Sequence, residues 1–548
     1  MQLSLMRVVY RFIDMGIHRH HILRSLTLAC IGLLGYVFYA SFQKPNSRHQ
    51  SPPPNKLAPS SSTLTTPRNP SLTASSPALS SAQPSPTSDA LENEREALLH
   101  FKDKASYQNF LNQATNRGLR IIGSSDRLRT LRVGFTDFSQ LNNIDNADVA
   151  PNFPVFIPSP PEVSAQDGAL GFGANALAAI GITEDNSAWG SGVTVAVIDS
   201  GVQEHIALTE GVTRLVLTDT ASSDSSQLGH GTAVASIISG NHPLTQGVAP
   251  SADILSIQIT DAQGSSNSFT LAEGILAAVD GGAQIINISM GSEGNSSVVA
   301  EAIAYAQDRG IVIVASSGNE GYSTPAYPAA YDGVISVGAI EANGEHLDFS
   351  NTGENLSLVA PGYEVNAAWG EDLLTSFSGT SASAPFVSGA IAAVMSENPG
   401  YTAQQATDLI LSLSNEAGLP GADPQYGQGS LDLGRALENG TPGVYDIAVA
   451  SHVLGQNSAG VPEVTVVIQN QGTESLFNSP VTIQTPQGPT TISINSLIPG
   501  QIYTTTLPLP SLNSENSATI STSVTISQQQ DVDPRNDTKQ STFSPSAE

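Results

Sequence analysis

The 548-residue chain is short of cysteine and of basic residues. Its one cysteine, Cys30, cannot form a disulfide within the chain, and without a second cysteine there is no Cys-X-X-Cys zinc motif. Charged residues make up 13% of the sequence, about half of the usual ~25%, which argues against a long coiled coil or a charge-rich disordered chain. There are 21 Lys and Arg against 49 Asp and Glu. Because phosphate contacts need Lys and Arg, no nucleic-acid partner is expected.

The acidity is concentrated in the middle of the chain. Residues 166–440 contain three basic residues and no Lys, against 30 acidic residues. Two interpretations stay open: a solvated surface suited to salty surroundings, or an acidic face that binds substrate. Apolar residues make up 39% of the sequence, which is enough for a sizeable core, so a folded acidic domain is expected.

The N-terminus predicts a membrane-targeting segment followed by a spacer. Residues 1–24 form a basic flank, and residues 25–42 carry no charge and are just long enough to span a bilayer. Basic flanks stay in the cytoplasm, so we expect a membrane anchor with the rest of the chain outside the cytoplasm: periplasmic, at the cell surface or secreted after processing. A cleavable signal peptide is the alternative. Residues 43–90, rich in Pro, Ser and Thr, predict an unfolded linker.

Three folded regions are predicted after the linker. Residues 91–160 mix strand and helix patterns and predict a small α+β unit that ends in a strand at residues 153–157. Residues 170–440 contain short apolar runs separated by helical stretches, the pattern of an α/β fold with a doubly wound parallel sheet. Residues 443–548 show only strand patterns and predict an all-β, immunoglobulin-like sandwich.

Three segments of the α/β region each contain one candidate catalytic residue. Asp199 ends the first predicted strand, His230 stands at the start of an apolar helix, and Ser381 lies near the start of another helix. Taken singly, the aspartate suits a turn, the histidine a helix entry and the serine a helix cap. Together they supply a nucleophile, a base that activates it and a carboxylate that orients the base.

The order Asp, His, Ser and the residues around it resemble the subtilisin-like serine proteases, the subtilase or peptidase S8 family. The resemblance covers about residues 170–440, and it rests on four segments of the sequence. These are residues 196–201, 229–235, 314–321 and 378–385. It implies the subtilisin-like fold, with Ser381 as nucleophile, His230 as general base and Asp199 as its orienting carboxylate.

The same resemblance implies how the substrate is held. Asn319 stands where the family carries the side-chain donor to the oxyanion. An extended substrate chain would lie against exposed backbone of the cleft. The residues that this places along the substrate are Ser289, Met290, Gly291, Ser317 and Gly318.

The resemblance also implies roles for the flanking regions. Residues 91–160 stand where such proteases carry a propeptide that acts as an intramolecular inhibitor, and residues 443–548 resemble CARDB-type adhesion modules. The chemistry needs no cofactor. Structural calcium stays open and no metal residue is assigned, because the short loop at residues 240–247 and Ser357 depart from the calcium-binding pattern of some relatives.

Two functions compete at this point. One is a serine endopeptidase that hydrolyses protein and peptide substrates through an acyl-enzyme and is made as a membrane-targeted zymogen. The other is an inactive surface adhesin with a subtilase fold, acting through its β module. The intact set of candidate catalytic residues favours the endopeptidase.

Overall fold

A computed structural model describes residues 95–159, 169–208, 211–218, 225–261, 263–510, 512, 516–527 and 529–544. The basic flank, membrane segment and linker predicted for residues 1–90 lie outside the described residues. Within the described ranges, no helix combines the length and the apolar character needed to cross a bilayer.

The N-terminal unit, residues 95–151, is an antiparallel sheet with one helix packed on it. Its elements are β1 (Arg95–Phe101), α1 (Lys104–Leu111), a 3-10 turn (Ala114–Arg117), β2 (Arg120–Ser125), β3 (Thr130–Phe135), a second 3-10 turn (Phe138–Leu141) and β4 (Ala147–Pro151). The strand order is β2-β3-β1-β4. Because side chains alternate along a strand, Leu99 and Phe101 of β1 enter the unit's own core, whereas Leu98 packs into the core of the central domain.

The central domain is built on a seven-stranded sheet whose strands are all parallel. Its strands, with two short pairs that lie outside the main sheet, are β5 (Pro154–Phe156), β6 (Thr194–Asp199), β7 (Val212–Val216), β8 (Asp253–Gln258), β9 (Ser265–Asn267), β10 (Ile285–Ile288), β11 (Val312–Ser316), β12 (Ile335–Ile340), β13 (Leu358–Pro361), β14 (Val365–Trp369) and β15 (Leu373–Phe377). The order in the main sheet is β13-β12-β11-β10-β6-β8-β7. The order reverses between β6 and β10, and functional sites of such sheets lie beyond the strand ends at this point.

Helices cover both faces of the sheet, as the apolar runs of the sequence predict. The helices are α2 (Ala176–Ala179), α3 (Ser225–Ser239), α4 (Ser268–Asp280), α5 (Ser297–Gln307), α6 (Thr380–Glu397), α7 (Ala403–Ser412) and α8 (Leu433–Glu438). On one face α3 and α6 pack into a core that includes Val234 and Ile391. On the other face α4 and α5 pack into a second core that includes Ile275 and Ile303. The doubly wound parallel sheet is therefore confirmed.

The C-terminal region consists of two antiparallel sheets that share one core. Its strands are β16 (Ile447–Gln456), β17 (Pro462–Asn470), β18 (Leu476–Thr485), β19 (Gly488–Leu497), β20 (Ile502–Pro508), β21 (Ala518–Val524) and β22 (Thr538–Phe543). One sheet has the order β16-β17-β20 and the other β19-β18-β21-β22. The region contacts the central domain at the loop of residues 416–418, where the Glu416 N–H donates to Gln469 Oε1 (3.0 Å) and Ser451 Oγ donates to the Gly418 carbonyl (2.7 Å). It also contacts Glu345, whose carboxylate lies 3.6 Å from Lys539 Nζ.

Candidate active site

Asp199 and His230 form a buried pair at the carboxyl end of β6. His230 Nδ1 lies 2.9 Å and 3.0 Å from the two carboxylate oxygens of Asp199. Both side chains are buried, and the ring of Phe377 packs edge-on against the imidazole at 5.3 Å. The prediction that His230 starts its helix is wrong, since α3 begins at Ser225, more than one turn earlier. The pair itself is the arrangement that fixes an imidazole tautomer.

Ser381 lies in the first turn of α6, where its backbone N–H has no partner within the helix. Its hydroxyl donates to the Ser289 carbonyl at 3.1 Å. Within the described part of the chain, no hydrogen bond joins Ser381 to His230. A catalytic hydrogen bond of this kind commonly forms only with substrate bound. The turn before α6 needs Gly379, because its φ is +124° and a Cβ there would lie 2.9 Å from Asn319 Nδ2.

Asn319 follows β11 and is held by the residue next to Ser381. Its Oδ1 accepts hydrogen bonds from the backbone N–H and the hydroxyl of Thr380, both at 2.9 Å. A backbone N–H can only donate, so the oxygen must face Thr380 and the NH2 group is left to donate elsewhere. The Thr380 hydroxyl also accepts from the Gly318 N–H at 3.1 Å. Thr380 was not predicted, although it adjoins Ser381 in the Gly-Thr-Ser segment.

The five residues predicted to contact substrate differ in what they offer. Gly291 offers its backbone N–H and carbonyl to an extended chain. The Met290 side chain is fully buried in the core below the sheet, so only its backbone borders the cleft. Ser289 offers its carbonyl, while Ser317 and Gly318 are buried next to the Asn319 loop.

Beneath Ser381, a chain of buried hydrogen bonds joins β10 to α6. Ser388 Oγ donates to Asn287 Oδ1 (2.8 Å), and Asn287 Nδ2 donates to Ser289 Oγ (3.0 Å). Ser289 Oγ then donates to the Ser381 carbonyl (3.2 Å). In a regular helix that carbonyl would accept the N–H of the residue four positions later, but here this residue is Pro385, which has no N–H. Ser289 therefore supplies the missing donor. The sequence did not indicate that Asn287 belongs to the site, because it is a single polar residue in an otherwise apolar strand.

An extended segment of the same chain lies in the cleft. This tail, residues 153–158, contains β5, which pairs with β9 on one side and with Gly291 on the other. The Phe156 N–H donates to the Gly291 carbonyl (3.0 Å) and the Gly291 N–H to the Phe156 carbonyl (3.1 Å). The strand predicted at residues 153–157 is present, and its partners are segments of the central domain. Beside the tail runs a groove of ≈ 970 Å³ lined by Gly291, Gly318, Glu320 and their neighbours.

Contacts of the N-terminal unit with α4 and α5 lie outside the cleft. Arg127 makes two hydrogen bonds to Asp280 (2.9 and 3.1 Å), and Arg129 Nη2 donates to Glu301 (2.7 Å). Between the two arginines, Leu128 is 1% exposed and packs into the central core. The basic side chains of the unit therefore meet the acidic domain directly.

The part of the chain that the structure describes contains no candidate metal site. There, no group of three or more His, Cys, Asp or Glu side chains is placed to hold a metal ion.

Comparison with known proteins gives the family. The subtilase family model (Peptidase_S8) matches residues 190–429. The thermostable alkaline protease of Halalkalibacterium halodurans is 36% identical over 253 residues, 46% of this chain and 69% of that protein. Subtilisin Savinase of Lederbergia lenta is 36% identical over 246 residues, 44% of this chain and 90% of that protein.

A solved structure extends the likeness of the fold. The crystal structure of fervidolysin from Fervidobacterium pennivorans, a keratinolytic enzyme related to subtilisin, aligns with a TM-score of 0.54 at 21% identity, over 82% of this chain and 76% of that chain. At this identity the likeness concerns the fold alone. With the relatives above, it leads to one conclusion: the chain belongs to the subtilase family and is a subtilisin-like serine protease.

Proposed function

We propose that this protease is an endopeptidase that uses Asp199, His230, Ser381 and Asn319 as its catalytic residues. The observation that carries the proposal is the buried Asp199–His230 pair beside a cleft that already holds an extended chain. His230 takes the proton of the Ser381 hydroxyl as its oxygen attacks the substrate carbonyl. Asp199 stabilises the imidazolium that results and does not take the proton itself.

The remaining steps follow from the donors at the start of α6. The carbonyl oxygen becomes an oxyanion, which Asn319 Nδ2 and the Ser381 N–H are free to stabilise. When the intermediate collapses, His230 returns the proton to the leaving amine and the acyl group stays on Ser381. Water then attacks the ester in the same way, with His230 as base, and releases the carboxylic acid.

We further propose that the N-terminal unit is a propeptide that inhibits the enzyme through the tail. Three observations support this. The tail pairs with Gly291 as a substrate would, Val155 of the tail is buried in the central core, and Leu128 is covered by the same domain. The register sets Pro158 opposite Ser289, so the bond to be cut is Pro158–Ser159.

The precursor would be held at the membrane by residues 25–42, with the protease outside the cytoplasm. Cleavage after the propeptide would then separate the central domain from the anchor. The C-terminal region would stay with the protease, because its contacts are with the central domain. We propose that it is an immunoglobulin-like module of the CARDB type.

A fluorophosphonate probe tests the catalytic assignment, because such a probe reacts with a serine only when that serine is activated. The processed wild-type protein should be labelled at Ser381 and should hydrolyse casein. Ser381→Ala should do neither, and Ser383→Ala, which removes a buried hydroxyl from the same helix, should do both. A folded wild type that is neither labelled nor active would favour the adhesin alternative.

A further inference from the structure

The tail contacts the central domain beyond its pairing with β9 and Gly291, through the residues just before β5. The Phe153 carbonyl accepts two hydrogen bonds from Ser268, from the backbone N–H at 2.9 Å and from the hydroxyl at 3.1 Å. Asn152 Oδ1 accepts the Phe269 N–H at 3.2 Å. Ser268 and Phe269 begin α4, and the first N–H groups of a helix have no partner within it. The tail therefore satisfies backbone donors that need another acceptor once it leaves.

The ring of Phe153 lies directly on the backbone of Gly294. A Cβ at Gly294 would lie 2.2 Å from two carbons of this ring, which is closer than non-bonded carbon atoms approach each other. The φ of Gly294 lies outside the left-handed region, so the conformation of the chain does not itself require glycine here. What a side chain at this position would displace is the ring.

We propose that Ser268, Phe269 and Gly294 form a subsite, here called the upstream subsite, that binds an aromatic residue of the substrate far before the cut bond. Gly294 leaves room for the ring, and Ser268 fixes its depth by holding the carbonyl of the same residue. All three residues belong to the central domain, so they stay with the processed enzyme. This inference rests on the proposed functions of Ser381 and of the tail.

The substrate position that the upstream subsite selects follows from the register of the tail. With Pro158–Ser159 as the bond to be cut, Phe153 is the sixth residue before it and Asn152 the seventh. A substrate in the same register sets its sixth residue on Gly294 and its seventh beside the Phe269 N–H. At the seventh position an Asn or Asp side chain supplies the acceptor oxygen that Asn152 supplies in the tail. Binding energy from such a remote residue raises kcat/KM.

The first experiment profiles the cleavage of a peptide library by the processed enzyme, with each cut bond identified by mass spectrometry. Peptides cut by wild type should be enriched in Phe, Tyr or Trp at the sixth position before the cut bond. Gly294→Ala should lose this enrichment, because the added methyl group occupies the place of the ring. Gly455→Ala adds a methyl group with no neighbour within 4 Å. It is the matched control and should keep the enrichment.

A second experiment measures kcat/KM for a pair of peptides that share one cleaved sequence from the library and carry Phe or Ala at the sixth position. The change to Ala should lower kcat/KM roughly tenfold for wild type, because the apolar contact of the ring is lost. For Gly294→Ala the same change should cost less than about twofold. Comparing the two enzymes isolates the contact between the ring and the glycine. An equal loss for both enzymes would overturn the proposal.

The same data separate the upstream subsite from the function on which it rests. Wild type that cleaves the library with no preference at the sixth position would overturn the subsite and leave the proposed endopeptidase standing. Wild type that cleaves no peptide would overturn both. A Gly294→Ala enzyme that cleaves every peptide more slowly, whatever the sixth residue, would show a general effect on the cleft and would also overturn the subsite.

Discussion

Leu128→Ala should weaken the inhibition by the N-terminal unit more than any loss of a single ion pair at the same interface. Leu128 is buried in the core of the central domain and does not belong to the core of its own unit. Its truncation therefore removes apolar contact between the two parts while leaving the unit's fold in place. Replacing a buried Leu by Ala costs roughly 2–3 kcal/mol where the site relaxes in part, which corresponds to a roughly 30- to 150-fold weaker inhibition.

The neighbouring ion pair provides the comparison. Arg127 and Asp280 have side chains that are 37% and 60% exposed, and an exposed pair of this kind contributes about 0–1 kcal/mol. Arg127→Ala should therefore weaken inhibition by about fivefold at most, and less at high salt, because exposed pairs are screened. Apolar burial thus dominates, although the arginines give the interface its charge complementarity.

The assay titrates processed enzyme with separately produced N-terminal unit including the tail, residues 95–158, and follows hydrolysis of a chromogenic peptide. Val149→Ala, at a residue that is 47% exposed, is the control and should leave the inhibition constant unchanged. Circular dichroism of each variant would verify that the unit is folded. A change of less than about threefold for folded Leu128→Ala, or a larger loss for Arg127→Ala, would refute the reasoning from buried area.

Three further predictions concern the oxyanion, pH and release. Asn319→Ala should lower kcat by roughly 10²–10³ with little change in KM, the size seen on removing the equivalent donor in a subtilisin; unchanged turnover in steady-state kinetics would contradict the assignment. Burial raises the pKa of Glu273 above its ordinary 4.5 at the interface with the N-terminal unit. The charged form therefore opposes binding, so inhibition should weaken as pH rises above that value; Glu273→Gln should flatten this dependence, and an unchanged slope would count against it. Ser381→Ala should accumulate as a full-length, membrane-bound protein while wild type yields a soluble form, as fractionation and immunoblotting would show.

Much of the sheet could be predicted because its strands are buried on both faces. The strands β6, β8, β10, β11 and β12 lie within a few residues of nearly continuous apolar runs of the sequence, at residues 193–198, 254–259, 285–290, 311–315 and 334–337. The strand β7 was not predicted, because this edge strand is largely exposed and carries Arg214 among its apolar residues. The strand β4 was missed for a similar reason: it is short, half exposed and ends in Pro151.

The residues of the candidate site could be predicted where a short sequence motif is enough to identify the catalytic residue. Asp199, His230, Ser381 and Asn319 each stand in such a segment, and the fold brings these segments to the strand ends. The direction of the Met290 side chain could not be predicted, because Met290 lies beyond the end of β10, where no strand alternation sets the direction of a side chain. The partners of β5 could not be predicted either, since its pairing depends on tertiary contacts that no local pattern records.

The reciprocal hydrogen bonds between Ser289 and Ser381 have a consequence for protein engineering. They couple the backbone at Ser289, which borders the substrate cleft, to the start of α6, which contains the nucleophile Ser381. A change in the backbone of β10 that admits new sequences will also tilt the start of α6, so selectivity and turnover will change together. Residues 322–325 border the groove from a separate loop. Libraries confined to that loop offer a route to new selectivity at an unchanged rate.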